Sequence, residues 1–219
     1  MAKKKAEKTT GNVRAHTRYR LADNTIVPGV TTITGILNKP ALVKWANNLG
    51  LQGIDSSSFV DEKAKIGTLA HEMLMHYFRG TTPDLSDATP NQIELAENSV
   101  LSYYEWEKGH DVEPILVEQK FVSEKYRYGG ALDLYAKVDG TLSLVDFKTG
   151  KGIFKEMGIQ LAGYKNLLEE NGHKVKNAII LNIGRGEDEA FQAKPFPTLV
   201  PHWKTFRYLR EVYDLMKVL

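Results

Sequence analysis

The sequence predicts an α/β protein in which helices cover a central β-sheet. Segments with apolar residues at helical spacing occur before and after short apolar runs that are typical of strands. In one of these runs Leu142 and Leu144 share the face of Asp146, while Val145 and Phe147 line the other face, as expected for a strand covered on both sides. With 219 residues the chain can bury a sizeable core. We therefore expect one domain at residues 21–219, preceded by a basic, partly disordered arm at residues 1–20.

The composition is that of an ordinary globular protein, with 42% hydrophobic residues, 26% charged residues and a net charge of +2. Evidence for a nucleic-acid partner must therefore come from local clusters of residues. The chain has no cysteine, which excludes disulfide scaffolds, thiolate zinc sites and iron–sulfur clusters. No apolar run approaches the ~20 residues of a membrane span, and the basic N-terminus lacks the apolar stretch of a secretory signal. We expect a soluble, intracellular protein.

The N-terminal segment carries basic residues and two threonines that are candidates for phosphate contacts. The arm is either a solvated tail, the interpretation we favour for residues 1–10, or a strip that touches a phosphate backbone through residues such as Arg18. Thr31 and Thr32 lie in a β-branched stretch and could donate hydrogen bonds to phosphates, although use in a strand or a helix cap is equally compatible. Pro40 then opens a predicted helix that includes Lys44, another candidate contact.

A long amphipathic helix is predicted at residues 58–79, and a second helix at residues 91–109. Gly67 inside the first helix indicates either close packing or a break near Ile66. His71 and His76 are five residues apart and would point about 140° apart, which excludes the zinc-protease arrangement. By itself, a single helical histidine such as His71 is more often structural than a ligand.

The strand predicted at residues 114–122 is interrupted by Glu118. This side chain either faces solvent or becomes an additional carboxylate beside Asp133, if the strand pairs with residues 128–136. The intervening loop at residues 123–127 is long enough to leave the register open.

The most informative stretch is a predicted hairpin at residues 129–148. Asp139-Gly140 between two apolar runs favours a two-residue type I′ turn. Counting outward from that turn places Asp133 opposite Asp146 and brings both to one face together with Lys148. Facing carboxylates repel each other, so a divalent cation such as Mg²⁺ is the expected compensating charge, with Lys148 near a bound phosphate or water. The alternative is a set of solvated side chains on an exposed face.

A basic, glycine-rich loop containing Lys151 follows the hairpin, but it lacks the phosphate-binding motif of nucleotide hydrolases. The next predicted helix covers residues 159–168 and places Gln160 and Tyr164 on one face. They could hold a phosphate or a water molecule, or Tyr164 could pack in the core while Gln160 is exposed. A buried strand at residues 175–183 and an aromatic helix at residues 202–219 complete the chain.

Four motifs in this order resemble the PD-(D/E)XK nuclease superfamily and, within it, the RecB-like and Cas4-like exonuclease branch found in many phages. They are His71 on a helix, Gly130-x-x-Asp133, Asp146-Phe147-Lys148 and Gln160-x-x-x-Tyr164. The resemblance covers about residues 66–168, with the sheet continuing to about residue 183. It implies an α/β fold with a restriction-endonuclease-like core, in which a mixed central β-sheet is flanked by helices.

The resemblance also implies roles for individual residues. It implies that Mg²⁺ or Mn²⁺ is held by His71, Glu118, Asp133, Asp146 and the carbonyl of Phe147. Lys148 would position the attacking water or stabilise the charge that develops on the phosphate. Gln160 and Tyr164 would shape the site and contact DNA. The iron–sulfur cluster of typical Cas4 proteins cannot form here because there is no cysteine.

The function implied by the resemblance is metal-dependent hydrolysis of DNA, starting from an end. The substrate would be single- or double-stranded DNA with a free end, and the partners could include a recombinase, a single-strand-binding protein, a separate helicase or further copies of the chain. Two alternatives remain at this stage: a non-cleaving DNA-binding protein, and an adaptor subunit of a recombination or packaging complex. The candidate DNA contacts are Arg18, Thr31, Thr32, Lys44 and Lys151.

Overall fold

Five strands form one mixed sheet in the order Val112–Ser123, Tyr128–Val138, Thr141–Lys148, Asn177–Asn182 and Gln192–Pro195, in which the third and fourth strands are parallel and the other neighbours are antiparallel. The computed structural model describes residues 17–37, 39–186 and 188–219. The strands are β1 (Tyr19–Arg20), β2 (Ile26–Val27), β3 (Val112–Ser123), β4 (Tyr128–Val138), β5 (Thr141–Lys148), β6 (Asn177–Asn182) and β7 (Gln192–Pro195). The helices are α1 (Val30–Thr34), α2 (Pro40–Leu51), α3 (Ser56–Arg79), α4 (Pro90–Glu107), α5 (Lys155–Glu170) and α6 (Val200–Leu215).

The predicted α/β fold with a mixed sheet is confirmed, and the sheet is covered on both faces. Leu144 of β5 belongs to a core cluster built with α1, α5 and α6. Its neighbour Val145 points to the opposite cluster, where Leu74 of α3 and Val100 of α4 pack. The strand is therefore central and buried on both sides, as its apolar pattern indicates.

The hairpin turn also agrees with the prediction. Val138 pairs with Thr141, and the register continues without a shift to Leu134 and Val145. Asp139 has a φ of 50° and Gly140 a φ of 73°, the positive values that a type I′ turn requires.

Two segments differ from or extend the prediction. Residues 30–34 form the short helix α1 in a stretch rich in β-branched residues, because Val30 and Ile33 are buried in the core beside α5 and α6. The edge strand β7 was not predicted, since all four of its residues are exposed and carry no apolar signal.

Gly67 serves close packing, because α3 runs unbroken through it. A Cβ atom at this position would lie 2.6 Å from Oγ1 of Thr149, which follows the end of β5.

The predicted basic arm at residues 1–20 lies mostly outside the described residues, which begin at residue 17; Tyr19–Arg20 pairs with Ile26–Val27 as a small two-stranded sheet. Within the part of the chain that the structure describes, no helix is both long and apolar enough to cross a membrane.

Candidate active site

A cavity of about 650 Å³ opens where β3, β4 and β5 meet α3, α5 and the β1–α1 segment. It brings together most of the residues that the sequence singles out. Its lining includes Thr31, Thr32, His71, Glu118, Asp133, Asp146, Phe147, Lys148, Gln160 and Tyr164. The other candidate DNA contacts, Arg18, Lys44 and Lys151, are exposed and do not line the cavity.

The sheet loses its regular pairing at Asp133. Between β3 and β4 the ladder passes from the pair Val117–Leu134 to the pair Gln119–Leu132 and skips the row of Glu118 and Asp133. The backbone of Glu118 has a φ of 52°, which is strained for a residue with a side chain. This interruption turns Glu118 into the cavity, where it lies beside Asp133.

The side of Asp133 that faces β5 is irregular as well. Regular β4–β5 pairs end at Leu134 and Val145, one residue before the predicted pairing of Asp133 with Asp146. Instead, the backbone N–H of Phe147 donates to Oδ2 of Asp133 over 2.9 Å. Both carboxylates nevertheless line the same cavity, so the predicted proximity does not depend on a regular ladder pair.

Three side chains form a cluster with the ligand atoms that a divalent cation needs. One ligand atom each of His71, Glu118 and Asp133 lies within 4.8 Å of the other two. Nδ1 of His71 is 3.3 Å from Oδ1 of Asp133. Carboxylate oxygens and an imidazole nitrogen are common ligands of divalent metal ions. The cluster thus fits a cation, held from α3, β3 and β4 together.

Asp146 lies beside this cluster and is only 2% exposed. Burial raises the pKa of its carboxyl group; the Lys148 ammonium opposes this change, and the nearby Asp133 carboxylate reinforces it. Nζ of Lys148 lies 2.5 Å from Oδ2 of Asp146. The raised pKa indicates that the Lys148 ammonium alone does not offset the cost of burying the Asp146 carboxylate. An additional cation beside this carboxylate would therefore be stabilising.

The side chains of Gln160 and Tyr164, one turn apart on α5, are hydrogen-bonded to each other. Nε2 of Gln160 donates to the Tyr164 hydroxyl oxygen over 2.9 Å. Burial, then the negative charges of Asp146 and Asp133, raise the pKa of Tyr164 well above its usual value, so the hydroxyl stays protonated. Tyr164 is buried as one alternative expected, yet it still lines the cavity together with Gln160.

Gly130 makes the position of Tyr164 possible. A Cβ atom on Gly130 would lie 2.8 Å from Cε1 of Tyr164 and 3.0 Å from side-chain atoms of Leu167 and Val30. The glycine of the Gly130-x-x-Asp133 motif thus leaves room for the tyrosine of the last motif.

Several cavity residues were not found from the sequence, notably Tyr19, Lys120, Phe154 and Met157. The ring of Tyr19 lies in the space that a side chain on Gly129 would fill, since a Cβ atom there would be 2.3 Å from Tyr19 Cγ. The glycine at position 129 was the available signal, but it does not reveal which distant residue approaches it.

A model of the PD-(D/E)XK nuclease superfamily matches residues 44–216, which include every motif described above. The chain belongs to the PD-(D/E)XK nuclease superfamily. No curated protein matches its sequence significantly.

The solved structures that match this chain are distant from it in sequence. A putative exonuclease from Eubacterium rectale is 11% identical, with a TM-score of 0.48, and the match covers 67% of this chain and 64% of that one. The alkaline exonuclease LHK-Exo from Laribacter hongkongensis is 13% identical, with a TM-score of 0.33, over 68% of this chain and 81% of that one. The match thus spans less than two thirds of the length of the Eubacterium protein. Membership of this chain in the superfamily therefore rests on the family match over residues 44–216.

Proposed function

We propose that the protein is a Mg²⁺- or Mn²⁺-dependent deoxyribonuclease, specifically an exonuclease. The observation that carries this proposal is the cluster of His71, Glu118 and Asp133, whose ligand atoms lie within 4.8 Å of one another. Asp146 and Lys148 line the same cavity. The preference for an exonuclease rests on the resemblance of the motif series to the RecB-like and Cas4-like branch.

In the proposed site the cation would be held by His71, Glu118 and Asp133 together with Asp146 and the carbonyl of Phe147. When bound, it supplies the charge that activates water and stabilises the phosphoryl oxygens. Lys148 supplies a second positive charge, and its contact with Asp146 holds it in place for the transition state. The Tyr164 oxygen accepts from Gln160, so its own proton is available for donation towards a phosphate.

The remaining candidate contacts fit two positions along a bound strand. Thr31 and Thr32 line the cavity and would meet the backbone next to the cut. Arg18, Lys44 and Lys151 are exposed outside the cavity and would meet phosphates farther away. The contacts of these three basic side chains with phosphates should weaken as the salt concentration rises, because their formation releases counterions from DNA.

The decisive experiment is digestion of 5′- and 3′-labelled single- and double-stranded DNA, with circular DNA as the test for free ends. We expect degradation of linear DNA in Mg²⁺ or Mn²⁺, none with EDTA, and resistance of circular DNA. Asp146→Asn should lower the rate by about 10²–10³-fold, as removal of one transition-state interaction does. Asp61→Asn on α3 is the matched control, since Asp61 is exposed and outside the cavity. Cleavage by Asp146→Asn at the control rate would disprove the proposal.

We further propose a role in phage or bacterial DNA recombination, repair or replication, in the cytoplasm where that DNA is found. Candidate partners are a recombinase, a single-strand-binding protein, a helicase or further copies of the chain. Co-purification from infected cells, and the molar mass of the protein with and without DNA, test these partners directly.

A further inference from the structure

Phe154 is an exposed aromatic residue in the wall of the candidate active site. It is 54% exposed and lines the same cavity as Asp133, Asp146 and Lys148. Leaving such a side chain in water forgoes the stabilisation that its burial would provide. Single exposed apolar side chains are common on protein surfaces, but this ring lines the cavity that holds the proposed catalytic groups, where aromatic side chains commonly contact ligands.

Phe154 does not cap α5 through its side chain. It is the N-cap residue of α5, a position where a serine, threonine, aspartate or asparagine would cap the helix, and its side chain makes no capping bond. The loop between β5 and α5 is anchored instead by Ile153, which packs against the core cluster that contains Leu144. The first turn of α5 is held by an ion pair between Lys39 Nζ and Glu156 Oε1 at 2.9 Å.

The chemistry of the cavity indicates what the ring meets. In the same cavity, the side chains of Asp146 and Lys148 are only 2% and 19% exposed, and those of His71 and Asp133 only 11% and 12%. A phosphate must enter the cavity to reach these groups, and it brings its own nucleotide into contact with the wall. Among the groups of a nucleic acid, the flat face of a base is the one that stacks on phenylalanine.

Such stacking favours an unpaired base. In an intact duplex both faces of an internal base are covered by its neighbours, and exposing them costs unstacking energy. A base in a single strand, or at a frayed end, offers its face without that cost. The site would therefore distinguish substrates by the pairing state of the nucleotide at the cut.

We propose that Phe154 stacks on the base next to the scissile phosphate and makes the enzyme favour DNA that is unpaired at that position. This inference rests on the proposed nuclease function. Stacking has little sequence preference, because every base has a π-face. The selected substrate class is thus single-stranded DNA, or a duplex with an unpaired end, over a blunt duplex.

The test compares four forms of the full chain: wild type, Phe154→Ala, Phe154→Trp and the control Tyr208→Ala. Tyr208 lies on α6, is 53% exposed and does not line the cavity, so it matches the size and exposure of Phe154. On a single strand we expect Phe154→Ala to lower kcat/KM about tenfold, while Phe154→Trp and Tyr208→Ala keep the wild-type value. Wild type should cleave the single strand faster than the blunt duplex, and Phe154→Ala should reduce that preference.

A second readout separates stacking from a general disturbance of the site. A series of oligonucleotides carries one abasic site at successive positions near the cut. At the stacked position the missing base should slow wild type about tenfold but leave Phe154→Ala unchanged, because that variant has already lost the interaction. Equal abasic penalties in both proteins, or a Phe154→Ala variant as active as wild type on single strands, would overturn the inference. If Phe154 served instead to dock another protein, the Phe154→Ala variant would be as active as wild type on single strands.

Failure of the nuclease proposal can be told apart from failure of this inference. If wild type cleaves no DNA, the proposed function is wrong, and binding of the same oligonucleotides is measured by fluorescence anisotropy in Ca²⁺. Phe154→Ala should then bind the single strand about tenfold more weakly than wild type and Tyr208→Ala. Equal affinities for the three proteins would reject the role of Phe154.

Discussion

Regular backbone pairing between the strands is interrupted at Asp133, and the carboxylate of this residue accepts a backbone hydrogen bond from β5 instead. Oδ2 of Asp133 accepts from the N–H of Phe147 over 2.9 Å, while Oδ1 faces Nδ1 of His71 at 3.3 Å. One oxygen thus restores a backbone hydrogen bond, and the other faces the proposed metal cluster. The opposing row contains Glu118, whose left-handed backbone costs roughly 1–3 kcal/mol. Strain and irregular pairing are concentrated where the chemistry is proposed.

Gly130 provides a test at the scale of one residue. Gly130→Ala places a Cβ atom 2.8 Å from Tyr164 Cε1, so the tyrosine and its bond to Gln160 must shift. We expect a loss of about 1–3 kcal/mol in the free energy of unfolding, typical of overpacking, and a lower kcat. Urea unfolding and nuclease kinetics measure the two effects.

Gly50→Ala is the control for that substitution, since a Cβ atom at Gly50 meets nothing within 4 Å. It lies within the helix α2, where alanine is favoured over glycine by roughly 0.5–1 kcal/mol. A Gly130→Ala protein as stable and active as the wild type would show that Tyr164 does not need this space.

At the scale of elements, the β4–β5 hairpin was predictable and the β3–β4 register was not. The turn is determined by Asp139 and Gly140 themselves, because the positive φ angles depend on local sterics. The shift of register near Ile115 and the skipped row at Glu118 depend on contacts between distant strands. No local pattern encodes them, so the position of Glu118 beside Asp133 remained one of two alternatives.

The loop between β6 and β7 is held by an ion pair that offers a prediction at this scale. Arg185 Nε donates to Glu189 Oε2 over 2.8 Å, and Arg185 Nη1 donates to the Lys63 carbonyl of α3 over 3.0 Å. Both partners are buried. Removing one charge leaves the other uncompensated, so Glu189→Gln should lower the free energy of unfolding at pH 7 by about 3 kcal/mol.

The same pair makes a pH-dependent contribution. The hydrogen bond from Arg185 lowers the pKa of Glu189 below its usual 4.5. A lowered folded-state pKa gives stability that is present above pH 4.5 and is lost as the pH falls through the folded-state value. Urea unfolding of wild type and Glu189→Gln should therefore give curves that converge towards acid pH; a constant difference across this range would contradict the role of the ion pair.

At the scale of the whole molecule, the proposed metal site joins three elements: His71 from α3, Glu118 from β3 and Asp133 from β4. A ligand that binds only the folded state raises stability by mass action. Mn²⁺ should therefore raise the Tm of wild type, and His71→Ala should reduce both this increase and the affinity measured by calorimetry.

His76→Ala is the matched control for that measurement. His76 lies on the same helix, but its Nδ1 is 2.7 Å from Thr81 Oγ1 and it does not line the cavity. It should respond to Mn²⁺ as wild type does. An equal Tm increase in His71→Ala would exclude His71 as a ligand.

The sequence alone determined the α/β class, the hairpin turn and the series of motifs that match the superfamily. These features are encoded by short-range sterics and by periodic burial, which act within a few residues. Only the tertiary structure decided that Tyr19 packs on Gly129, that Glu118 faces Asp133 and that Phe154 lies open at the wall of the cavity. Each of these depends on segments far apart in the chain that fold together, and such packing leaves no periodic trace in the sequence.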